Sequence, residues 1–509
     1  LNTMLRLVLP IKAGVRDEIE YSDIFYMMAN TYTEHTLPSP LSGMSESQIY
    51  GYTAGTEMVL VPQMEVGKDI DEIQWEVSED GGNTWEIEKT VYPTKSSEYV
   101  YMPLADCDNS GKLYRSIVNP SETGATYSDP FEVIVYEQYQ IDNGELTIQS
   151  AGPSGIMNDY QSGRLAGKCP WLNEKGSIKK ITFGENISEI KAETFKNYTA
   201  LEAISLGNME VIGNNAFENC TKLKAATLPA TLTELKKDAF KGCTSLLEIR
   251  ILNPDTKIDS STDTIPLTEK EIIPDDLKAT SAKNNLVVNE HSYPVIYGYK
   301  GIAQDDANKI NKTSPGSTAY NYAVSTGKAF YPIGAIDHSG YERPLEWDYM
   351  TSGENITKIS LKESCQKFLK DASGVEVHIP KSVDGYKVIT LDGVNVVGTT
   401  PVCGIEEHTH TAECETNGCD KEEHTHTTDC YDNELSKDLF GVSMEVVGET
   451  SGYTFSAIYI PDTVESIAEG AFASAGSIEK IYNFSTDPQD VSEGLAGSDG
   501  QQLFTYSSN

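Results

Sequence analysis

The chain has 509 residues and a formal charge of −38 at pH 7, with 77 Asp and Glu against 39 Lys and Arg. A phosphate backbone or an anionic lipid surface would repel such a molecule, so nucleic acid is excluded as a partner. No apolar run approaches the roughly 18 residues of a membrane span, and the length predicts several domains or a repeat array.

Residues 1–50 follow no single pattern, and their fold is not predicted. The run LRLVLPI, from Leu5 to Ile11, indicates one strand, and SDIFYMMANTY, from Ser22 to Tyr32, indicates a short helix. No secretion signal is visible. Because the chain opens at Leu1 without a start Met, we expect a processed or trimmed N-terminus.

Residues 51–137 show the period-two alternation of short strands. The alternating runs are Ile73, Trp75 and Val77; Tyr114, Ser116 and Val118; and Phe131, Val133 and Val135. Gly, Asn and Asp turns separate them, which predicts a β-sandwich. The stretch resembles bacterial immunoglobulin-like modules, with Trp75 as the strand-C Trp, Tyr114 as the corner Tyr and Ser116 at the second Cys position. The resemblance implies a spacer without an inter-sheet disulfide.

One motif in this module suggests an enzyme. Residues Ser78 to Trp85 match S-x-D-x-G-x-T-W, the Asp box of sialidase propellers, so a surface glycosidase is the alternative function. Sialidases carry several such boxes together with an Arg triad and a Tyr nucleophile, whereas the motif occurs once here. The run from Asp80 to Gly82 also suits a tight hairpin turn, because Gly accepts positive φ. We therefore predict a turn.

Other motifs that could carry chemistry are incomplete. The run from Asp106 to Gly111 begins like a calcium-binding EF-hand loop, but position 12 is Ile117 instead of Glu, which favours a polar loop. Four isolated histidines have no motif around them and are predicted to be surface or packing residues: His35, His291, His338 and His378. No nucleophile elbow or phosphate-binding loop occurs. We predict no catalytic residues.

An internal repeat organises the next part of the chain. Its anchors are Ile190, Ile212 and Leu235, spaced 22 and 23 residues apart. At offset five stand Phe195, Phe217 and Phe240; at eight Tyr198, Cys220 and Cys243; at eleven Leu201, Leu223 and Leu246; at fourteen and sixteen Ile204 and Leu206, Ala226 and Leu228, and Ile249 and Ile251. A spacing of three predicts one face of a helical or 3₁₀ turn, and a spacing of two predicts one face of a strand. Such units bury their apolar faces only by stacking.

These repeats resemble a known family. The stretch NNAFENCTKLKAATLPATLTELKKDAFKGCTSL, residues 214–246, is similar to BspA-like leucine-rich repeats of bacterial surface proteins. GELTIQSAGPSGIMNDYQSG resembles the leader of such arrays, and IYGYKG followed by GSTAYNYAVSTGKAFYPI resembles a closing segment. A degenerate copy follows at Ile467, Phe472, Ala475, Ile478 and Ile481. The resemblance implies a solenoid that is mainly β with short helices.

The resemblance also implies domain limits and a function. A first repeat region with its closing segment spans 138–345, with loops expected from Asp255 to Asn289. A second spans 346–509 and is interrupted by a Cys/His-rich insertion at 399–435. The implied role is a non-catalytic scaffold at the bacterial cell surface that binds an extracellular protein or glycan. We expect a monomer.

Five cysteines lie outside the insertion, and two of them are predicted to be packing residues. Cys220 and Cys243 fill one core position in adjacent repeats and behave there as small apolar groups, with a disulfide between them as the alternative. Cys107, Cys169 and Cys365 have no evident partner in the sequence.

The insertion contains the one set of candidate metal ligands. CGIEEHTHTAEC, residues 403–414, recurs as CDKEEHTHTTDC, residues 419–430. The ligand set is Cys403, His408, His410 and Cys414 in the first copy and Cys419, His424, His426 and Cys430 in the second. Two thiolates and two imidazoles are the set that tetrahedral zinc prefers, and four protein ligands indicate a structural site. The alternative is a disulfide within each copy, which an oxidising exterior permits.

Overall fold

The computed structural model describes most of the chain between residues 44 and 483. The described residues are 44, 48–63, 69–94, 98–270, 292–299, 317–337, 342–372, 374–396, 435–442, 452–468 and 470–483. Within them strands predominate, and two α-helices occur. They form two compact units. One comprises residues up to 223 with 229–244 and 259–266, and the other comprises 224–228, 245–258 and the residues from 267 onward.

The first unit begins with a five-stranded sheet. Its strands are β1 (Ile49–Thr53), β2 (Ile73–Ser78), β3 (Glu86–Val91), β4 (Leu113–Val118) and β5 (Phe131–Tyr136), in the order β1-β5-β4-β2-β3. β1 runs parallel to β5, and the other pairs are antiparallel. Trp75 is fully buried and Tyr114 nearly so, as predicted. Ser116 lies directly opposite Trp75 on β4.

A second antiparallel ladder lies in the same module. Bridges join Glu57 to Leu104 and Leu60 to Tyr101. The Met58 amide donates to the Pro103 carbonyl at 2.8 Å. Met58 and Leu60 are buried, so their side chains contribute to the core of this module.

The repeats supply two further sheets of the first unit. The strands are β6 (Gln138–Asp142), β7 (Glu145–Ser150), β8 (Lys180–Phe183), β9 (Glu189–Ile190), β10 (Ala203–Ser205), β11 (Val211–Ile212) and β13 (Glu234–Leu235). Short 3₁₀ helices span Cys107–Asn109, Gly163–Leu165 and Leu172–Glu174. One sheet has the order β10-β8-β7-β6, and in the other β9, β11 and β13 pair in parallel. Each repeat therefore has a second short strand, β9, β11 or β13, which ends at the anchor residue of the repeat. The sequence analysis did not predict these strands.

The predicted helical or 3₁₀ turn forms only in part, and the buried face is as predicted. Hydrogen bonds of the i→i+3 type join the Cys220 amide to the Phe217 carbonyl at 3.2 Å and the Leu223 amide to the Cys220 carbonyl at 3.1 Å, but no regular helix forms. Glu193 and Asn197 have φ of 56° and 61°, in the left-handed region that a right-handed helix excludes. The amides of Glu193 and Phe195 donate to the carbonyls of Asn214 and Ala216 in the next repeat, at 2.9 Å each. These two amides bond between repeats, so the turn combines hydrogen bonds to the next repeat with i→i+3 hydrogen bonds inside its own repeat.

Stacked aromatic rings form the core of these repeats. Phe195, Phe217 and Phe240 are fully buried, as predicted. The ring of Phe217 lies 5.6 Å from Phe195 and 5.4 Å from Phe240, with interplanar angles of 12° and 10°. Trp171 extends the column at 6.3 Å from Phe195. Adjacent repeats therefore share one continuous core.

The second unit contains the remaining elements. They are β12 (Ala225–Leu228), β14 (Glu248–Ile251), β15 (Lys257–Ile258), β16 (Glu269–Lys270), β17 (Ser292–Tyr293), β18 (Val295–Gly298), α1 (Thr318–Thr326), β19 (Phe330–Pro332), β20 (Gly334–Ile336), β21 (Glu342–Pro344), β22 (Trp347–Ser352), β23 (Asn355–Leu361), α2 (Glu363–Asp371), β24 (Val375–His378), β25 (Ser382–Val383), β26 (Tyr386–Val388), β27 (Thr390–Leu391), β28 (Asn395–Val396), β29 (Leu435–Ser436), β30 (Tyr453–Ile460), β31 (Ser466–Ile467), β32 (Ala475–Ile478) and β33 (Ile481–Asn483). Strands β12, β14, β18 and β19 form a parallel sheet.

Two larger sheets complete the second unit. One has the order β21-β20-β24-β30-β32, with β33 also on β30, and the other has the order β22-β23-β26-β25. Ser317 caps α1, because its Oγ accepts from the Tyr320 amide, and Gly327 ends the helix with a φ of 67°. Phe472 of the degenerate repeat is fully buried, as predicted, whereas Ile467 and Ile481 are half-buried.

Candidate binding surface of the repeat region

The sheet of β6, β7, β8 and β10 presents two rows of side chains, all of them polar except that of Ala203. One cross-strand row is Gln140, Thr147, Thr182 and Ser205, and the next is Asp142, Glu145, Lys180 and Ala203. The intervening residues Leu146 and Ile181 are fully buried, because successive side chains of a strand point to opposite faces. The rows are therefore the outward face of the sheet, and we call them the strand face.

A short polar network crosses the strand face. Lys180 Nζ lies 2.9 Å from Glu145 Oε1, and the Thr182 hydroxyl donates to the same oxygen at 2.8 Å. The Lys180 hydrogen bond, followed by that of Thr182, lowers the pKa of the Glu145 carboxyl. The strand face can therefore form hydrogen bonds and ion pairs with a ligand, but this network contains no nucleophile held by a base.

The turns of the repeats present a different surface. Lys196 Nζ lies 2.9 Å from Glu218 Oε2 of the next repeat, and the Asn219 side-chain amide donates to Asn197 Oδ1 at 2.9 Å. The hydrogen bond to Glu218 raises the pKa of Lys196. These contacts join consecutive repeats at their exposed turns, so the charged groups here are engaged with one another.

The repeat geometry agrees with a comparison of the sequence with protein families. Residues 172–263 match the model of the BspA type leucine rich repeat region in six copies. This segment is similar to a BspA-type leucine-rich repeat region. The match extends beyond Asp255, where we predicted that the register would break, and β15 and β16 also lie within the predicted loop. No curated protein matches the chain.

Solved leucine-rich repeat proteins show only distant likenesses. A leucine rich repeat protein of T. pallidum is 15% identical over 30% of this chain and 94% of its own, with a TM-score of 0.16. A leucine rich cell surface protein of Faecalibacterium prausnitzii is 14% identical over 74% and 82% of the two chains, with a TM-score of 0.15. A leucine-rich repeat protein of Bacteroides ovatus is 14% identical over 83% and 90%, with a TM-score of 0.17.

The Asp-box motif upstream of the BspA-type repeats forms the β2–β3 hairpin turn. Asp80 Oδ1 accepts from the amides of Asn83 and Thr84 at 2.9 and 2.8 Å, and Oδ2 accepts from the Thr84 hydroxyl at 2.7 Å. The Ser78 hydroxyl also donates to Asp80 at 2.9 Å. The carboxylate is thus occupied in organising the loop, in agreement with the turn prediction.

The Asp80 carboxyl is expected to titrate near pH 2 in an NMR pH titration of the full chain. The Thr84 hydroxyl, ahead of the other donors, holds its pKa at about 2, below the ordinary 3.8. Since the folded-state pKa is depressed, the stabilisation is present above pH 4 and is lost as the pH falls toward 2. Thr84→Val should raise the midpoint, and a wild-type midpoint near 4 would contradict this loop geometry.

The EF-hand-like loop is not arranged as a calcium site. Asp106 Oδ1 accepts from the Asp108 amide at 3.0 Å and from the Ser154 hydroxyl at 2.6 Å, and Oδ2 accepts from the Ser154 amide at 2.7 Å. Both oxygens are therefore used to hold the loop, which agrees with the predicted polar loop.

A cavity of 230 Å³ adjoins this loop. Residues lining it include Cys107, Asp108, Asn158, Asp159, Arg164 and Lys191. Arg164 pairs with the buried Glu132, and Lys191 lies 2.8 Å from Glu189. Burial raises the pKa of the Cys107 thiol, so the thiol stays protonated at neutral pH. The Cys107 thiol is therefore not an activated nucleophile.

Cys220 and Cys243 are buried, as predicted for packing residues; Cys107 is also buried, whereas Cys169 and Cys365 are half-buried. Cys107, Cys169, Cys220, Cys243 and Cys365 are free thiols, so the alternative disulfide between Cys220 and Cys243 is wrong. His378 is buried and stacks on Tyr459 at 4.2 Å. His35, His291 and His338 lie outside the described residues, as do the strand and the helix predicted within residues 1–43.

The predicted metal ligands also lie outside the described residues. These are Cys403, His408, His410, Cys414, Cys419, His424, His426 and Cys430. In the part of the chain that the structure describes, no group of three or more His, Cys, Asp or Glu side chains could hold a metal ion. No helix in that part is long and apolar enough to cross a membrane.

The sequence analysis did not predict one partly buried cluster, in which Glu76 is buried, Arg115 and Trp85 are half-buried and Tyr127 is exposed. The Arg115 guanidinium lies between two aromatic rings, 4.1 Å from the Trp85 centroid and 3.7 Å from that of Tyr127. Glu76 accepts from Arg115 Nη2 at 2.6 Å and from the Tyr127 hydroxyl at 3.0 Å. The alternation of β4 indicates that Arg115 points outward, but the two rings come from loops whose approach the pattern does not predict.

Proposed function

We propose that the chain is a non-catalytic scaffold at the bacterial cell surface that binds an extracellular protein or glycan through its BspA-type repeats. The observation that carries this proposal is the strand face, whose two rows present hydroxyl, amide and charged groups on a stacked apolar core. Stacked repeats offer extended binding surfaces of this kind. The proposed solenoid form rests on the same stacking.

The test compares two charge reversals of equal size. Wild type, Lys180→Glu and Lys222→Glu would be applied to arrays of host matrix proteins and glycans. Lys180 lies on the strand face, whereas Lys222 is exposed on a turn. We expect Lys180→Glu to weaken binding about tenfold, because it places like charges beside Glu145, and Lys222→Glu to change it little. Equal losses in both variants would contradict a site on the strand face.

We further propose that residues 51–137 form an immunoglobulin-like sandwich that serves as a spacer. The order β5-β4-β2-β3 corresponds to strands G, F, C and C′ of a variable-type sheet. The buried Trp75 on the strand that corresponds to C supports the same assignment. The ladder that joins Leu60 to Tyr101 would belong to the second layer.

The Cys/His-rich insertion is proposed to hold structural zinc, one ion in each copy. Metal analysis of protein purified without chelator should find about two zinc ions per chain, since each copy offers a complete Cys₂His₂ set. Changing His408 and His410 to Ala should remove about half of the metal, whereas His378→Ala should not change it. Absence of zinc together with disulfides within the copies would establish the alternative.

A further inference from the structure

No strand among the described residues pairs with the outer side of β3, one of the two edge strands of the N-terminal sheet. β3 is the last strand of the order β1-β5-β4-β2-β3, and β2 is its neighbour. Within the described residues, no backbone group of Glu86–Val91 forms a hydrogen bond to any strand other than β2. An open edge presents a row of backbone donors and acceptors on which an extended segment can pair.

Apolar side chains project at and beside this edge. Ile87 is 60% exposed and Tyr92 is 68% exposed. Ile87 lies directly opposite Glu76, the residue that holds Arg115 and Tyr127 in their stack. The surface behind the edge is therefore ordered before any partner arrives, and its Trp, Arg and Tyr side chains are of the types that contribute most to protein interfaces.

The charged side chains of β3 indicate the charge of a strand that could pair with it. Glu86 and Glu88 are exposed, and Lys89 is the one basic residue of β3. The nearby Glu79 already pairs with Lys112 at 2.9 Å. Pairing with β3 of a second copy would bring the Glu86 and Glu88 carboxylates of the two strands close together. Like charges opposite each other on antiparallel strands are destabilising. A basic strand would instead place Lys or Arg beside these carboxylates.

We propose that β3 binds an extended basic segment of a partner protein by strand addition. Backbone hydrogen bonds along Glu86–Val91 provide the pairing, the apolar residues of the segment pack on Ile87 and Tyr92, and its basic residues face Glu86 and Glu88. This site is independent of the strand face of the repeats.

The probe is a short synthetic peptide of alternating Lys and Val, titrated into the full chain and followed by fluorescence anisotropy. Binding should protect the amides of Glu86–Val91 from hydrogen exchange. The same peptide with N-methyl groups on alternate residues should bind about tenfold more weakly, because its backbone donors toward β3 are removed. A Glu/Val peptide should not bind measurably.

Two charge-matched variants separate strand addition from general attraction to an acidic protein. Glu86→Lys/Glu88→Lys should weaken binding of the Lys/Val peptide about tenfold, whereas Glu185→Lys/Glu202→Lys, at exposed positions of the repeats, should not. An unchanged melting temperature would show that each variant is folded. Equal binding of the N-methylated peptide, equal losses in both variants, or protection elsewhere than β3 would overturn the proposal.

Discussion

Replacement of Phe217 by Ala is expected to lower the free energy of unfolding of the repeat region by about 3 to 5 kcal/mol, the cost of truncating a fully buried Phe. The ring is fully buried and stacks on Phe195 and Phe240 in the adjacent repeats. The loss combines the lost burial of the ring with a cavity that stacked neighbours cannot close, since each is held by its own repeat.

Hydrogen exchange of the full chain measures this effect directly. The amides of Phe217 and Asn219, which donate to the next repeat at 2.8 and 2.7 Å, report local opening of this part of the array. Leu172→Ala is the matched control, because Leu172 is 45% exposed and its truncation should cost roughly 0.5 kcal/mol or less. If Phe217→Ala left these amides as protected as in wild type, the shared core would be refuted.

Replacement of Arg250 by Ala is expected to destabilise the second unit by about 3 to 5 kcal/mol, because it leaves a buried carboxylate without its partner. Glu248 is 1% exposed and lies 3.2 Å from Arg250 Nε. Arg250 Nη2 also donates to the Ser382 carbonyl at 2.8 Å, and the guanidinium lies 4.5 Å from the Tyr297 ring centroid. The pair thus joins β14 to β25 and β18 inside the second unit.

The double variant Glu248→Leu/Arg250→Met distinguishes a buried charge from a general packing defect. It should recover most of the loss, since apolar residues of similar volume can replace a buried ion pair at little cost. Lys367→Ala serves as the control, because the Lys367–Asp371 pair is exposed and contributes roughly 1 kcal/mol or less. A double variant as unstable as Arg250→Ala would show that charge burial is not the cause.

The sequence by itself predicts the buried face of each repeat. Phe217, Cys220 and Leu223 recur at fixed offsets, and all three are fully buried, because residues that repeat every 22 or 23 positions take equivalent places in stacked units. The period-two runs likewise predict the strands that bury Trp75 and Tyr114. Local spacing suffices in both cases because it specifies which side chains share one face.

The path of the backbone within a repeat depends on the neighbouring repeats. A spacing of three suits a helical turn equally well, but the Phe195 amide bonds to Ala216 of the next repeat, a partner that exists only once the units stack. The left-handed φ of Glu193 and Asn197 carries a steric cost for non-glycine residues that the inter-repeat hydrogen bonds offset. A single repeat lacks these hydrogen bonds to its neighbour, so its sequence alone cannot specify the backbone of this turn.

Which side chains surround the charged residues Glu248, Arg250 and Arg115 also depends on the tertiary structure alone. Glu248 and Arg250 alternate with apolar residues, a pattern that predicts a strand with one exposed face. Both are nevertheless buried, because Tyr297 and Ser382 contact Arg250 on that face. Trp85 and Tyr127 enclose Arg115 although they are 42 residues apart in the chain. Hydrophobic periodicity specifies faces, whereas the partners of a charged side chain depend on which distant segments fold against that face.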